Sequence, residues 1–273
     1  MTAPFTLDPI DEVPLTGTFL AKVLTQVRFS RTPALVTDEG EERLAALLHR
    51  YPVRRASQTL EVDLSAAPGA VEQKTKPVRI FADTSQQWQL TVTESAIALE
   101  TTAYASRDDF CTRAHEIFDA VTEVSTPPVV DRVGLRYVDL FQEAALDNLH
   151  NYVVPPLRVL HGLIGDGLSL EYSVSDSVIV LGVDERLKVR SGLLPAGSGF
   201  DPTLPPLPRP SWIFDLDVFT LQAGFPFDVS VLDERLRRYA SHVYSFFRWA
   251  TTDALVEDFK IRPTKEDEEG VLR

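Results

Sequence analysis

Apolar and polar positions alternate through 19–30 (FLAKVLTQVRFS). Phe19, Ala21, Val23, Val27 and Phe29 fall on one side, Lys22, Gln26 and Arg28 on the other, as in a half-buried strand. Leu44, Leu47 and Leu48 then recur at helical spacing and predict a short helix over 39–50. Strands are predicted over 57–64, 77–82, 87–93 and 95–102, with gaps short enough for antiparallel hairpins. Ser106 and Asp109 have the spacing of a helix cap, and Phe110, Ala114, Ile117, Phe118 and Val121 form the apolar stripe of a helix over 107–124. Pro127 and Pro128 end it.

A second pass opens with the most strand-like run of the chain, 129–142. It is followed by a predicted helix over 144–153 and strands over 168–174, 177–187 and 211–221. Ser230 and Asp233 repeat the capping spacing before a helix over 231–250, with Leu232, Leu236, Tyr239, Val243, Phe246 and Phe247 on one stripe. The order strand, short helix, several strands, long helix thus occurs twice, as a repeat of element order and not of residue identity. It predicts an α+β fold of two tandem units, 1–127 and 128–259, each an antiparallel sheet under a long helix, with an acidic tail over 260–273. The arrangement expected is TATA-binding-protein-like or helix-grip-like, with a ferredoxin-like pair as the competing form. A parallel βαβ sheet is not supported, because strand runs, not single strands, separate the two long helices. The Pro- and Gly-rich stretch 190–210 is too long for a hairpin and is expected to be an irregular, disordered loop.

Composition narrows the function classes. The chain of 273 residues is 44% hydrophobic and 25% charged, with a net charge of −13. Such acidity repels phosphate backbones, and the basic residues are not strongly clustered, so nucleic-acid binding is disfavoured unless one face is locally basic. The one cysteine, Cys111, excludes an intramolecular disulfide and argues against a cysteine zinc site; a buried structural thiol is expected. No apolar run approaches the ~20 residues of a membrane span. The N-terminal stretch lacks the basic and apolar regions of a signal peptide, and a cytoplasmic protein is expected.

Catalytic and cofactor motifs are missing: there is no phosphate-binding glycine loop, no GxGxxG after a strand, no GxSxG, no HExxH and no paired CxxC. The five histidines have no metal-ligand spacing, so no metal and no cofactor is expected. The charged residues that stand out are Arg132 and Arg136, flanking Gly134 on one side of the run 129–141, and Asp215 and Asp217, sharing a side of 211–221. They are able to pair across a sheet, either as a polar floor for a ligand or partner or as an ion-pair ladder on a wet face. Gly134 would remove bulk where the strand bends or is closely approached.

VDRVGLRYVDLF, FDLDVF, the late His242-x-x-x-Phe246 helix followed by Thr251-Thr252-Asp253, and the opening Pro14-Leu15 before VLTQVRF are similar to a sporadically distributed prokaryotic family of uncharacterised proteins of about this length. The resemblance spans nearly the whole chain. It carries over no assigned enzymatic activity and no agreed catalytic residues, and the patchy distribution implies accessory or mobile-element cargo, such as defence or toxin–antitoxin functions. The expected function is therefore a non-enzymatic interaction protein, of the immunity or antitoxin kind, that uses its acidic surface on a protein partner. Arg132, Gly134, Arg136, Asp215, Asp217 and His242 are the candidate binding residues. The alternative is a small-molecule binding module with a cavity between curved sheet and long helix. An enzyme built on the same arginines and aspartates is the remaining possibility.

Overall fold

All nine strands among the described residues join one sheet. The computed structural model describes residues 4–260, apart from 14, 16–18, 64–71, 159, 162, 166, 202–203 and 222–223. The strands are β1 (Leu20–Phe29), β2 (Val53–Asp63), β3 (Glu72–Ala82), β4 (Trp88–Val92), β5 (Ala96–Thr101), β6 (Val130–Phe141), β7 (Ser173–Val180), β8 (Glu185–Leu194) and β9 (Ser211–Thr220). Their spatial order is β2-β3-β4-β5-β1-β6-β9-β8-β7. Every pairing is antiparallel. In each half the opening strand, β1 or β6, pairs with the last strand of its own run, β5 or β9, and the others lie outward. The halves meet where β1 and β6 pair with each other.

The long helices α2 (Arg107–Ser125) and α6 (Val229–Ala250) pack on each other and on one face of this sheet, with α1 (Asp38–Leu47) beside α2. The reason is the apolar periodicity. Val133, Leu135, Tyr137 and Phe141 of β6 alternate inward, and the α6 stripe Leu232, Leu236, Tyr239, Val243, Phe246 and Phe247 is buried against them. Each fully buried aliphatic or aromatic side chain contributes roughly 1.5–3 kcal/mol. Ser106 caps α2 by accepting a hydrogen bond from the Asp109 amide at 3.1 Å. The cap of α6 is Asp228, which accepts from the Val231 amide at 3.0 Å, and not the Ser230 of the sequence pattern.

Other boundaries differ from those expected. The single helix over 144–153 is instead two single turns, α3 (Ala144–Asp147) and α4 (Leu149–Tyr152), followed by a third, α5 (Pro155–Arg158); α7 (Asp253–Phe259) is the last helix among the described residues. Glu143, at φ 51, sets the first turn at an angle to β6, and Pro155 stops continuation of the second. Residues 168–172 are not strand, and the break placed between 174 and 177 lies at 181–184, around Gly182. The Ser-Asp-Ser of this region belongs to an exposed edge strand, where polar side chains are tolerated as well as in a turn.

The stretch 190–210 is not a disordered loop. Residues 190–194 complete β8, and the described part of the remainder folds over the helix-free face of the sheet. There Leu207, Leu194 and Ile213 form a second, smaller apolar cluster, with Phe200 and Leu140 packed against it. Apart from Lys260, the acidic tail lies outside the described residues.

Candidate functional site

The charged residues singled out by the strand pattern do converge, on the helix-free face. Register puts Arg136 opposite Asp217, and Val138 opposite Asp215. Arg136 reaches diagonally, donating from Nε and Nη2 to the two oxygens of Asp215 at 2.6 and 2.8 Å. Its Nη1 donates to Asp201, from the segment folded over this face. Burial draws the guanidinium pKa down, but the Asp215 and Asp201 carboxylates outweigh it and the net shift is upward. Arg132 lies 3.6 Å from Asp217 and its guanidinium stacks 4.7 Å from the Phe219 ring. Burial pushes the Asp217 carboxyl up, against the pull of Arg132 and Arg136. Two further pairs continue the lattice, Arg190 with Asp176 at 3.0 Å and Lys22 with Glu100 at 2.7 Å.

Gly134 sits between the two arginines without a close approach. A Cβ there would meet Asp217, Phe219 and Arg132 atoms at 3.7–3.8 Å, ordinary contact distances. His242 is elsewhere, on α6 across the sheet from this lattice. Its Nδ1 is buried without a partner, and burial, with help from Arg238, lowers its pKa against the opposing effect of Glu185. Cys111 is fully buried, and burial pushes its thiol up to about 12, which keeps it protonated and unreactive. Among the described residues no group of three or more His, Cys, Asp or Glu side chains converges as a metal site requires, and no helix is long and apolar enough to cross a membrane.

A second site lies on the helix side of the same strand. A cavity of about 150 Å³ opens between the start of β1, the end of β6, the first turn of α2 and the middle of α6. Its wall is mostly apolar and aromatic: Phe19, Leu20, Tyr104, Tyr137, Ala240, Val243, Tyr244 and Phe247. The segment before β1 closes it with Glu12, Val13 and Leu15, and is held down where the Val13 amide donates to the Tyr244 hydroxyl at 2.7 Å.

Asp139 is the exception in this wall. It is 7% exposed, and no described group donates a hydrogen bond to it or pairs with it. Burial alone pushes its carboxyl up to about 7. The β1–β6 register slips between Leu20 and Lys22, at the pairing of Leu20 with Asp139, so a bulge loosens the sheet beside this carboxylate. The other polar wall groups are engaged with one another. Tyr137 donates to the Tyr104 hydroxyl at 3.3 Å, and Tyr104 donates to Glu12 at 3.1 Å. Burial first, then the neighbouring Tyr137 and Glu12, drives the Tyr104 pKa far upward. Arg107 stands 3.9 Å from Glu12, with its Nη2 buried and without an acceptor.

Asp139 was visible in the strand pattern, on the same alternate as Val133, Leu135, Tyr137 and Phe141. A carboxylate among inward-facing apolar positions is the signal that marks it. The arginines on the opposite alternate are more conspicuous by charge, yet their carboxylates satisfy them. No protein-family model matches the chain, and no curated protein matches it.

Proposed function

We propose that this protein is a small-molecule binding module whose site is the cavity between sheet and α6. The observation that carries this reading is Asp139, a buried carboxylate without a partner among the described residues, in a mostly apolar and aromatic wall. Burying such a group is expensive, and a concave apolar site with a few unsatisfied polar groups is the usual form of a ligand pocket. The chain would act as a non-enzymatic, cytoplasmic binder of two like-wound units, 1–127 and 128–259, arranged in the TATA-binding-protein-like manner. The shared winding of the two halves around β1 and β6 supports that architecture. Nucleic acid is a poor occupant of the helix-free face, since Arg132, Arg136, Arg190 and Lys22 all lie against carboxylates.

Ala240 offers the test, because it lines the cavity from α6. Thermal-shift screening of ring-sized fragments is expected to find compounds that raise the melting temperature of the wild type and fail to do so in Ala240→Leu, which keeps its far-ultraviolet dichroism. Shifts that survive the filled cavity, or no shifts at all, would remove the reading.

A partner-binding protein of the immunity or antitoxin kind is favoured by a different observation. Edge strand β7 leaves Val178 and Val180 exposed and has no neighbour on its outer side among the described residues. Such an edge accepts a strand from another protein. This reading expects a defined partner retained at low salt by the wild type and lost from Val178→Lys; retention unaffected by that change would count against it.

A further inference from the structure

Granting that the cavity is a binding site, its wall chemistry specifies what it binds. Asp139 needs a donor, and none of the described wall groups gives it one. The Tyr137 and Tyr104 hydroxyl protons are committed along their own chain to Glu12, and Arg107 leans toward Glu12 and the Tyr244 ring, whose centroid is 5.7 Å from its guanidinium carbon. Counting formal charges on the wall, Glu12 and Asp139 oppose the single cation Arg107, and the uncompensated charge sits at Asp139. Aromatic side chains of β6 and α6 and of the segment before α2, among them Tyr137, Phe247 and Tyr104, supply the electron-rich surface that attracts a cation when water is excluded. The volume, about 150 Å³, matches a cavity known to take a single benzene-sized ring.

We propose that the cavity takes a small primary or secondary amine with an apolar body of about one ring. Its ammonium group hydrogen-bonds to Asp139, and an oxygen acceptor at its far end meets Nη2 of Arg107. The ammonium supplies the missing donor and the missing charge together, forming a charge-assisted hydrogen bond in a dry site. A neutral alcohol of the same shape supplies only the first. A carboxylate of the same shape meets Asp139 with like charge. The acceptor end uses Nη2 of Arg107, the one buried donor without a partner among the described wall residues.

Calorimetric titration of the full chain at pH 8 with benzylamine, benzyl alcohol and benzoate separates these cases. Benzylamine is expected to bind at least ten-fold more tightly than either isostere, and to lose that advantage in Asp139→Asn while benzyl alcohol is little changed. 4-Methoxybenzylamine is expected to exceed benzylamine in the wild type and to match it in Arg107→Met. The melting temperature of each variant confirms that it is folded. Equal or tighter binding of benzyl alcohol or benzoate, or full retention of benzylamine by Asp139→Asn, would overturn the amine assignment while leaving the pocket in place. Failure of all three ring probes on the wild type, with Ala240→Leu behaving identically in the fragment screen, would instead bring down the binding-module reading itself.

Discussion

A carboxylate without a partner destabilises the state that buries it, so Asp139 makes the native protein sensitive to pH in a definite direction. Its carboxyl is raised from an ordinary 3.8 to about 7, so between those values the folded chain holds a proton that the unfolded chain has released. Stability from this group is therefore present below pH 4, falls as pH rises through the window, and is fully lost above about 7. Three pH units correspond to about 4 kcal/mol. Asp139→Asn removes the titration. Urea denaturation is expected to show the variant gaining on the wild type by up to that amount between pH 5 and 8; a constant difference would mean that Asp139 is ionised and paired.

Two glycines make a sharper contrast at the same scale. Gly134 lies between two arginines and invites attention in the sequence, yet its surroundings leave ordinary room for a methyl group. Gly192 carries no such flag. Its φ is 154°, and a Cβ there would lie 2.0 Å from the Ser173 carbonyl oxygen on the paired strand β7. Gly134→Ala is expected to change stability by less than about 1 kcal/mol, and Gly192→Ala to cost several times more by shifting β7 off β8. The difference was not legible because it depends on how closely a neighbouring strand approaches, and a single strand's pattern says nothing of that.

Among the elements, those with a long apolar period were legible. The stripes of α2 and α6 and the alternation of β1, β6 and β9 each follow from the residues that now form the core. The element boundaries that went astray are those where local chemistry is ambiguous: Ser-Asp-Ser in β7, and the three single turns after β6. The segment after β8 reads as disordered from its sequence because proline and glycine content reports local irregularity, not tertiary contacts. Leu207 and Asp201 anchor it, the first on Leu194 and Ile213, the second on Arg136. With both anchors in place the segment is expected to resist limited proteolysis by subtilisin. Asp201→Ala, which leaves Arg136 bound to Asp215 alone, is expected to admit cleavage between 195 and 210. Cleavage of the wild type at the same rate would show that the anchor does not hold.

For the whole molecule, the winding of the sheet decides which faces are available. Pairing β1 with β6 at the centre makes one continuous surface, one side of which α2 and α6 cover. The other side carries the ion pairs and the folded-over segment, and its arginines are spent on internal aspartates. The net charge of −13 therefore does not localise a site, and the strongest cluster of charge is not the strongest candidate. The two faces of β6 exchange the roles suggested by their side chains. The polar face is satisfied internally, whereas the apolar face carries a carboxylate, Asp139, to which no described group donates. Deriving this from sequence would have required knowing that no distant donor among the described residues reaches Asp139, which a strand's own pattern does not show.

The most direct measurement of that claim is a two-dimensional NMR titration of the isotope-labelled protein with benzylamine. Saturable shifts confined to the cavity wall are expected, at Tyr104, Tyr137, Asp139 and Tyr244, and they are expected to be lost in Asp139→Asn. Shifts that never saturate, or that gather instead around Arg132 and Arg136 on the helix-free face, would contradict it.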